Sequence, residues 1–240
     1  GRPDPYVVIE AGAGRGALAI AVLAAQPVCA TALRYVLVER SAALRRAQGE
    51  HLSLSHPAEV LGPDGDAEDG IESPAAGSGP LVCSLEDLPV ERVDGAVIAN
   101  ELLDNIPFRL FQKSADEARD DGWQEVRVTI DAGQLVELLV PADDDIAERL
   151  HALAPDARPG ARVPLQDGAL EWVRSALDVL RSGSVLVVDY AAPTTASLAD
   201  RPVGEWLRTY RDHQRGGDPL DAPGTQDVTV EVAVDQLGAA

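Results

Sequence analysis

Short β-branched runs alternate along this chain with longer apolar stretches of helical period. Tyr6-Val7-Val8-Ile9 reads as a buried strand, and Ala17 to Leu23 continues as strong helix material. The alternation then repeats. Tyr35 to Val38 is a second strand, and Ser41 to His51 a helix with Ser41 as candidate cap. Leu81 to Cys83 is a weaker strand, while Gly95 to Ala99 and Ser184 to Asp189 are stronger ones, the last preceded by a helix over Ala169 to Leu180. Such an order predicts an α/β fold, a doubly wound Rossmann-like parallel sheet with helices on both faces.

Two stretches interrupt the pattern. Residues 55–80, rich in proline, glycine and acids, read as a surface spacer. Residues 108–165 exceed what a βαβ crossover needs and read as an inserted lobe. Within it, Trp123 to Ile130 and Leu135 to Val140 flank Asp131-Ala132-Gly133-Gln134, a β-hairpin with Gly133 at the turn, and Asp143 to Ala154 reads as a short acidic helix. The expected division is a core of 1–107 and 166–240 carrying a β-hairpin/helix substrate lobe at 108–165. Gly1-Arg2-Pro3-Asp4 is an abrupt beginning, so further residues are expected ahead of the first strand in the natural protein.

The first strand runs into Glu10-Ala11-Gly12-Ala13-Gly14-Arg15-Gly16. Glycine there permits left-handed backbone and close approach of a ligand to the main chain, and the helix start adds free N–H groups. The loop fits either a dinucleotide or a sulfonium nucleoside, and charge separates the two. A carboxylate at the strand tip repels a pyrophosphate but suits a cofactor with an amino-acid end. A second carboxylate, Glu39, ends the second strand, where it can take both ribose hydroxyls. It lies 27 residues past Gly12, against about 20 in dinucleotide folds. The acids favour S-adenosyl-L-methionine over a nicotinamide cofactor, with a tight turn lacking any cofactor as the plainest alternative.

After the fourth strand comes Asn100-Glu101-Leu102-Leu103-Asp104-Asn105-Ile106-Pro107. Ligands of open α/β sheets bind outside the carboxyl ends of strands, which puts Asn100 and Glu101 beside a cofactor on the first loop. Asp104 three residues on shares a face with Glu101 if the segment turns helically, and such a pair could grip a cation. The same residues also suit a helix capped by Asn100 with acids in its first turn.

These segments resemble the MidA-like S-adenosyl-L-methionine-dependent methyltransferases: Glu10 to Gly16, Tyr35 to Gln48, Asn100 to Pro107, Val187-Val188-Asp189-Tyr190, and Arg208 to His213 leading to Asp218-Pro219-Leu220 and Pro223 to Thr229. The resemblance runs in order over almost the whole chain. It implies a class I methyltransferase sheet and, from mitochondrial relatives that assist complex I assembly, transfer to an arginine of a partner protein. Carried onto this chain, Glu10 with Gly12, Gly14 and Gly16 would hold the methionine end, and Glu39 the ribose. Glu86 and Asp87 would hold the adenine amino group, and Glu101, Asp104 and Asn100 would orient the acceptor, with His213 as a further proton carrier. Ala191 and Glu231 stand where the family commonly has glycine and histidine. A non-catalytic assembly module that keeps the fold is the alternative reading, and a nicotinamide-dependent oxidoreductase the less favoured one.

A formal net charge of −20 argues against a nucleic-acid partner, and Lys113 is the sole lysine. Cys29 and Cys83 lack metal-site spacing, so no metal is expected. With neither an apolar span nor a leader in this stretch, no membrane insertion and a cytoplasmic setting are expected.

Overall fold

The structure is a computed structural model and describes residues 3–62, 75–115, 122–212 and 214–238. Its contacts divide it into two units, residues 1–102 with 173–188 and residues 103–172 with 189–240.

In the first unit the chain runs β1 (Tyr6–Ala11), α1 (Ala17–Ala24), β2 (Leu33–Val38), α2 (Ala42–Gln48), α3 (Pro57–Leu61), β3 (Leu81–Leu85) and β4 (Val93–Asn100). One of these helices bears out its expected cap, and another forms where a spacer was expected. Ser41 Oγ accepts the Leu44 N–H at 3.4 Å, and α3, in the stretch expected to be irregular, begins at Pro57 with the His56 ring accepting the Ala58 N–H. A proline at the first helical position loses nothing, because that N–H has no intrahelical partner.

The chain then builds β5 (Arg109–Lys113), β6 (Trp123–Asp131), β7 (Gln134–Pro141), α4 (Asp144–Leu153), β8 (Arg162–Leu165) and α5 (Asp167–Asp178) before returning as β9 (Leu180–Val188). The first unit's sheet has the order β3-β2-β1-β4-β9, parallel throughout, as the alternating pattern predicts. Leu33 to Val38 is buried along its whole length, as befits a strand covered on both faces. Beneath α1, Ala19, Leu33, Tyr35, Leu37 and Val82 form a continuous core. Strand order reverses between β1 and β4, so the loop after β1 lies at the switch point where such sheets bind ligands.

The second unit holds a sheet of order β7-β6-β5-β8. The expected hairpin is present, with Asp131 opposite Gln134 and positive φ at both Ala132 (47°) and Gly133 (81°), the twist that suits a two-residue loop. Phe111, Trp123, Leu150, Val163 and Leu165 pack beneath it.

The tail completes this unit through β10 (Ala191–Ala192), α6 (Thr195–Ala199), α7 (Val203–Trp206), β11 (Leu207–Arg211), β12 (Gln214–Arg215), β13 (Asp227–Val230), β14 (Val232–Ala233) and α8 (Val234–Leu237). Trp206, Leu198, Val230 and Ala233 make its own core. Buried glutamines bind the tail to β8: Gln236 donates to the Pro164 carbonyl and Gln166 accepts the Ala233 N–H. The sequence reading grouped 166–240 with the parallel sheet; contacts place 189–240 with the lobe.

Candidate functional site

At the end of β1 the chain turns through Gly12, Gly14 and Gly16 and enters α1. Gly16 (φ 82°) precedes the helix without any side-chain cap, so the first helical N–H groups are left to the loop and to Glu10. The loop is tied to its neighbours. Gly12 and Ala13 donate to the Val38 carbonyl at 2.9 and 3.1 Å. Gln48, fully buried on α2, donates to the Gly14 carbonyl and accepts from Ser84 Oγ. Gly14 (φ 55°) has open space where a Cβ would stand, so at this position conformation rather than crowding favours glycine.

Of the two predicted acids, Glu39 bonds to this loop and Glu10 bonds to β2 and the start of α1. Glu39 Oε2 accepts the Gly14 N–H at 2.9 Å and its Oε1 the Ser41 N–H at 2.8 Å, so one carboxylate bridges the glycine loop and the start of α2. Glu10 turns inward. It is 7% exposed, accepts from the Tyr35 hydroxyl at 2.8 Å, and also takes the Ala19 N–H. Burial pushes its carboxyl above the usual range, and those two donors pull it part of the way back. Burial and the Glu10 carboxylate together push the Tyr35 hydroxyl upward.

A carboxyl whose folded pKa lies above its unfolded value stabilises fully below the unfolded value, about 4.3, and less as pH rises through the folded one. Glu10→Gln, neutral at every pH, is therefore expected to raise Tm near pH 7 and to flatten the fall in Tm above about pH 4.3. Thermal melts across pH check this; parallel curves for the two proteins would show that Glu10 is not the group responsible.

Glu86 and Asp87 follow β3 and are exposed. Each pairs with an arginine, Glu86 with Arg45 at 2.8 Å and Asp87 with Arg40 at 3.6 Å. Arg45 also donates to the Glu39 carbonyl, so Glu86 reaches the glycine loop's support through one guanidinium.

Asn100 and Glu101, at the carboxyl end of β4, are exposed. Glu101 has φ 49°, and its N–H is held by the Val188 carbonyl at 2.8 Å. Left-handed backbone on a residue other than glycine costs about 1–3 kcal/mol and clusters at functional sites. The expected helical turn uniting Glu101 with Asp104 does not form, because the turn is a 3-10 segment, Leu103–Asn105, that begins after Glu101. Asp104 is 4% exposed and accepts from the Asn105 amide at 2.7 Å. Nor is Asn100 the cap. Asp189 Oδ2 accepts the Leu103 and Asp104 N–H groups at 2.8 and 3.3 Å, while its Oδ1 takes that of Tyr190. His213 lies outside the described residues.

Sequence reasoning missed Tyr35, Gln48 and Asp189. A polar group inside an otherwise aliphatic strand or a buried helix face was the available signal for the first two. Asp189 stands in the Val187-Val188-Asp189-Tyr190 segment that carries the resemblance, but its partners lie 86 and 85 residues away and no local pattern pointed to them. Replacing Asp189 by Ala orphans those donors and is expected to cost about 1–2 kcal/mol, as loss of a helix cap does; an unchanged urea midpoint would deny it the role.

Among the described residues no group of His, Cys, Asp and Glu could hold a metal ion, and no helix is long and apolar enough to cross a membrane.

Comparison with known proteins bears on the family and the fold. A family model described as "Putative S-adenosyl-L-methionine-dependent methyltransferase" matches residues 1–240. Two solved structures from Burkholderia thailandensis are similar. One, called a "likely methyl transferase" and bound to S-adenosyl-homocysteine, is 33% identical with a TM-score of 0.73; this chain is covered over 97% and spans 54% of that one. The other, an uncharacterized protein of the same superfamily in native form, is 32% identical with a TM-score of 0.73, over 97% of this chain and 56% of that one. The chain thus spans about half the length of the solved structures it matches. No curated protein matches it.

Proposed function

The chain belongs to the S-adenosyl-L-methionine-dependent methyltransferase family, and on that premise we propose that it binds this cofactor on its glycine loop and methylates an arginine side chain of a protein. The observation that carries the cofactor reading is the Glu39 bridge, a carboxylate at the end of β2 already turned onto the Gly14 N–H. In this reading Glu39 takes the ribose hydroxyls, and the backbone of Gly12 to Gly16 faces the methionine end. Glu10 braces the start of α1 from inside and places a negative end beneath the ammonium. Glu86 and Asp87 offer carboxylates to the adenine amino group. An anionic pyrophosphate would meet Glu39 instead of a helix N-terminus free to receive it.

The cofactor supplies an electrophilic methyl group on sulfur, so the protein's part is orientation and charge complementarity. A guanidinium enters charged, with a pKa above about 12, and must lose a proton on methylation. Glu101, exposed at the carboxyl end of β4, orients it by charge-assisted hydrogen bonds and receives that proton, with Asn100 beside it as a neutral acceptor. Asp104, buried within the turn after Glu101, accepts from the Asn105 amide there, and His213 is the remaining proton carrier of the proposal. The chain's acidic balance suits a basic acceptor segment.

The test is transfer of a tritiated methyl group from S-adenosyl-L-methionine to proteins of a cell lysate, followed by mapping of the labelled residue. Label on arginine supports the full proposal. Label on another side chain keeps the methyltransferase and replaces the acceptor, and binding of S-adenosyl-homocysteine with no transfer favours an assembly module.

A further inference from the structure

The second unit contains a cavity of about 880 Å³, within the size range of small-ligand sites. It lies between β5 and β6 on one side and the segments around α7, β11 and Gly216 to Leu220 on the other. Its walls are apolar at Leu110, Val126, Leu207, Leu220 and Val228.

Charge on the remaining wall runs against the rest of the chain. Asp and Glu outnumber Lys and Arg by 40 to 20 overall, yet five arginines and three carboxylates line this cavity. Nor do the ion pairs cancel the excess. Glu125 takes both Arg109 at 2.8 Å and Arg127 at 2.7 Å. Glu231, outside the lining, takes both Arg201 at 2.5 Å and Arg208 at 3.0 Å. Each carboxylate offsets one guanidinium and leaves one positive charge over. Arg162 and Glu137 neutralise one another; Arg215 donates to the uncharged Gly204 carbonyl, and Asp218 in the lining offsets its charge, so two positive charges remain. The two neighbouring arginines hold the Glu125 carboxyl below its usual range, so it stays ionised and keeps both in place.

We propose that this cavity binds an amphiphilic anion, a small ligand whose carboxylate or sulfonate head is held by Arg127 and Arg208 while its apolar body lies on Leu110, Leu207 and Leu220. A head group of that kind can accept bidentate hydrogen bonds from guanidinium, and the surplus charge repels a cationic ligand. No residue of the glycine loop lines the cavity, and the proposal stands whether or not the chain transfers methyl groups.

The probe is 8-anilinonaphthalene-1-sulfonate, followed by fluorescence on the whole chain. Saturable one-site binding is expected, with decanoate displacing the probe at about tenfold or more lower concentration than decan-1-ol. Combining Arg127→Gln with Arg208→Gln is expected to weaken the probe by about tenfold or more. Each carboxylate keeps one arginine in that variant, and circular dichroism confirms its fold. Equal displacement by the acid and the alcohol, absence of saturable binding, or full affinity in the folded double variant overturns the proposal. Because the two displacement curves use the unmodified protein, they decide the matter even if the variant does not fold.

Discussion

A Glu101→Gln protein is expected to lose about a hundredfold or more in methyl transfer while binding S-adenosyl-homocysteine within about twofold of the parent. The substitution preserves size, and the amide retains a hydrogen-bonding oxygen. It removes the negative charge that would orient a guanidinium and the basicity that would receive its proton. Backbone geometry makes the result informative, since Glu101 sits at φ 49° with its N–H on the Val188 carbonyl, and glutamine can keep that conformation. Single-turnover transfer measured beside calorimetry separates the outcomes. Unchanged transfer removes Glu101 from catalysis, and a parallel loss of affinity and rate makes it a cofactor ligand instead.

Glu39→Ala is expected to weaken S-adenosyl-homocysteine by about a hundred- to ten-thousandfold, because two charge-assisted bonds to ribose hydroxyls at about 1.5–3 kcal/mol each disappear together. The loop is affected as well. Gly14 and Ser41 lose the acceptor for their N–H groups, so the free protein is expected to melt earlier too. Glu39→Gln keeps an acceptor oxygen but not the charge, and should fall between the two. Calorimetric titration reads the affinities; an Ala variant within threefold of the parent would take the ribose role from Glu39.

Much of this site was legible because its parts are local. Glu10 to Gly16 is one strand–turn–helix segment whose glycines announce left-handed backbone, and Glu39 ends a strand whose pairing with β1 follows from the parallel pattern. What each carboxylate does was less legible. Glu10 and Glu39 look equivalent as acids at strand ends, yet Glu10 is closed in by Tyr35 and Ala19 while Glu39 reaches across to Gly14. Side-chain direction along a strand alternates with period two, but which face is covered, and by what, depends on packing. The Glu101–Asp104 spacing misled for a related reason. A three-residue interval implies a shared face only on a helix, and the N–H groups of Leu103 and Asp104 belong to Asp189.

By itself the sequence determined the parallel sheet, the hairpin with Gly133 in its turn, the position of the glycine loop and, through its motifs, the methyltransferase family. These rest on periodicity, on backbone freedoms peculiar to glycine and on short runs of residues adjacent in the chain. Only the tertiary structure decided that residues 189–240 pack with the lobe, that Glu10 faces inward, that Asp189 caps the turn after Glu101, and that arginines share carboxylates around a cavity. Those features depend on pairings across tens of residues, where burial and unsatisfied hydrogen-bonding groups select the partner and the local pattern carries no record of it.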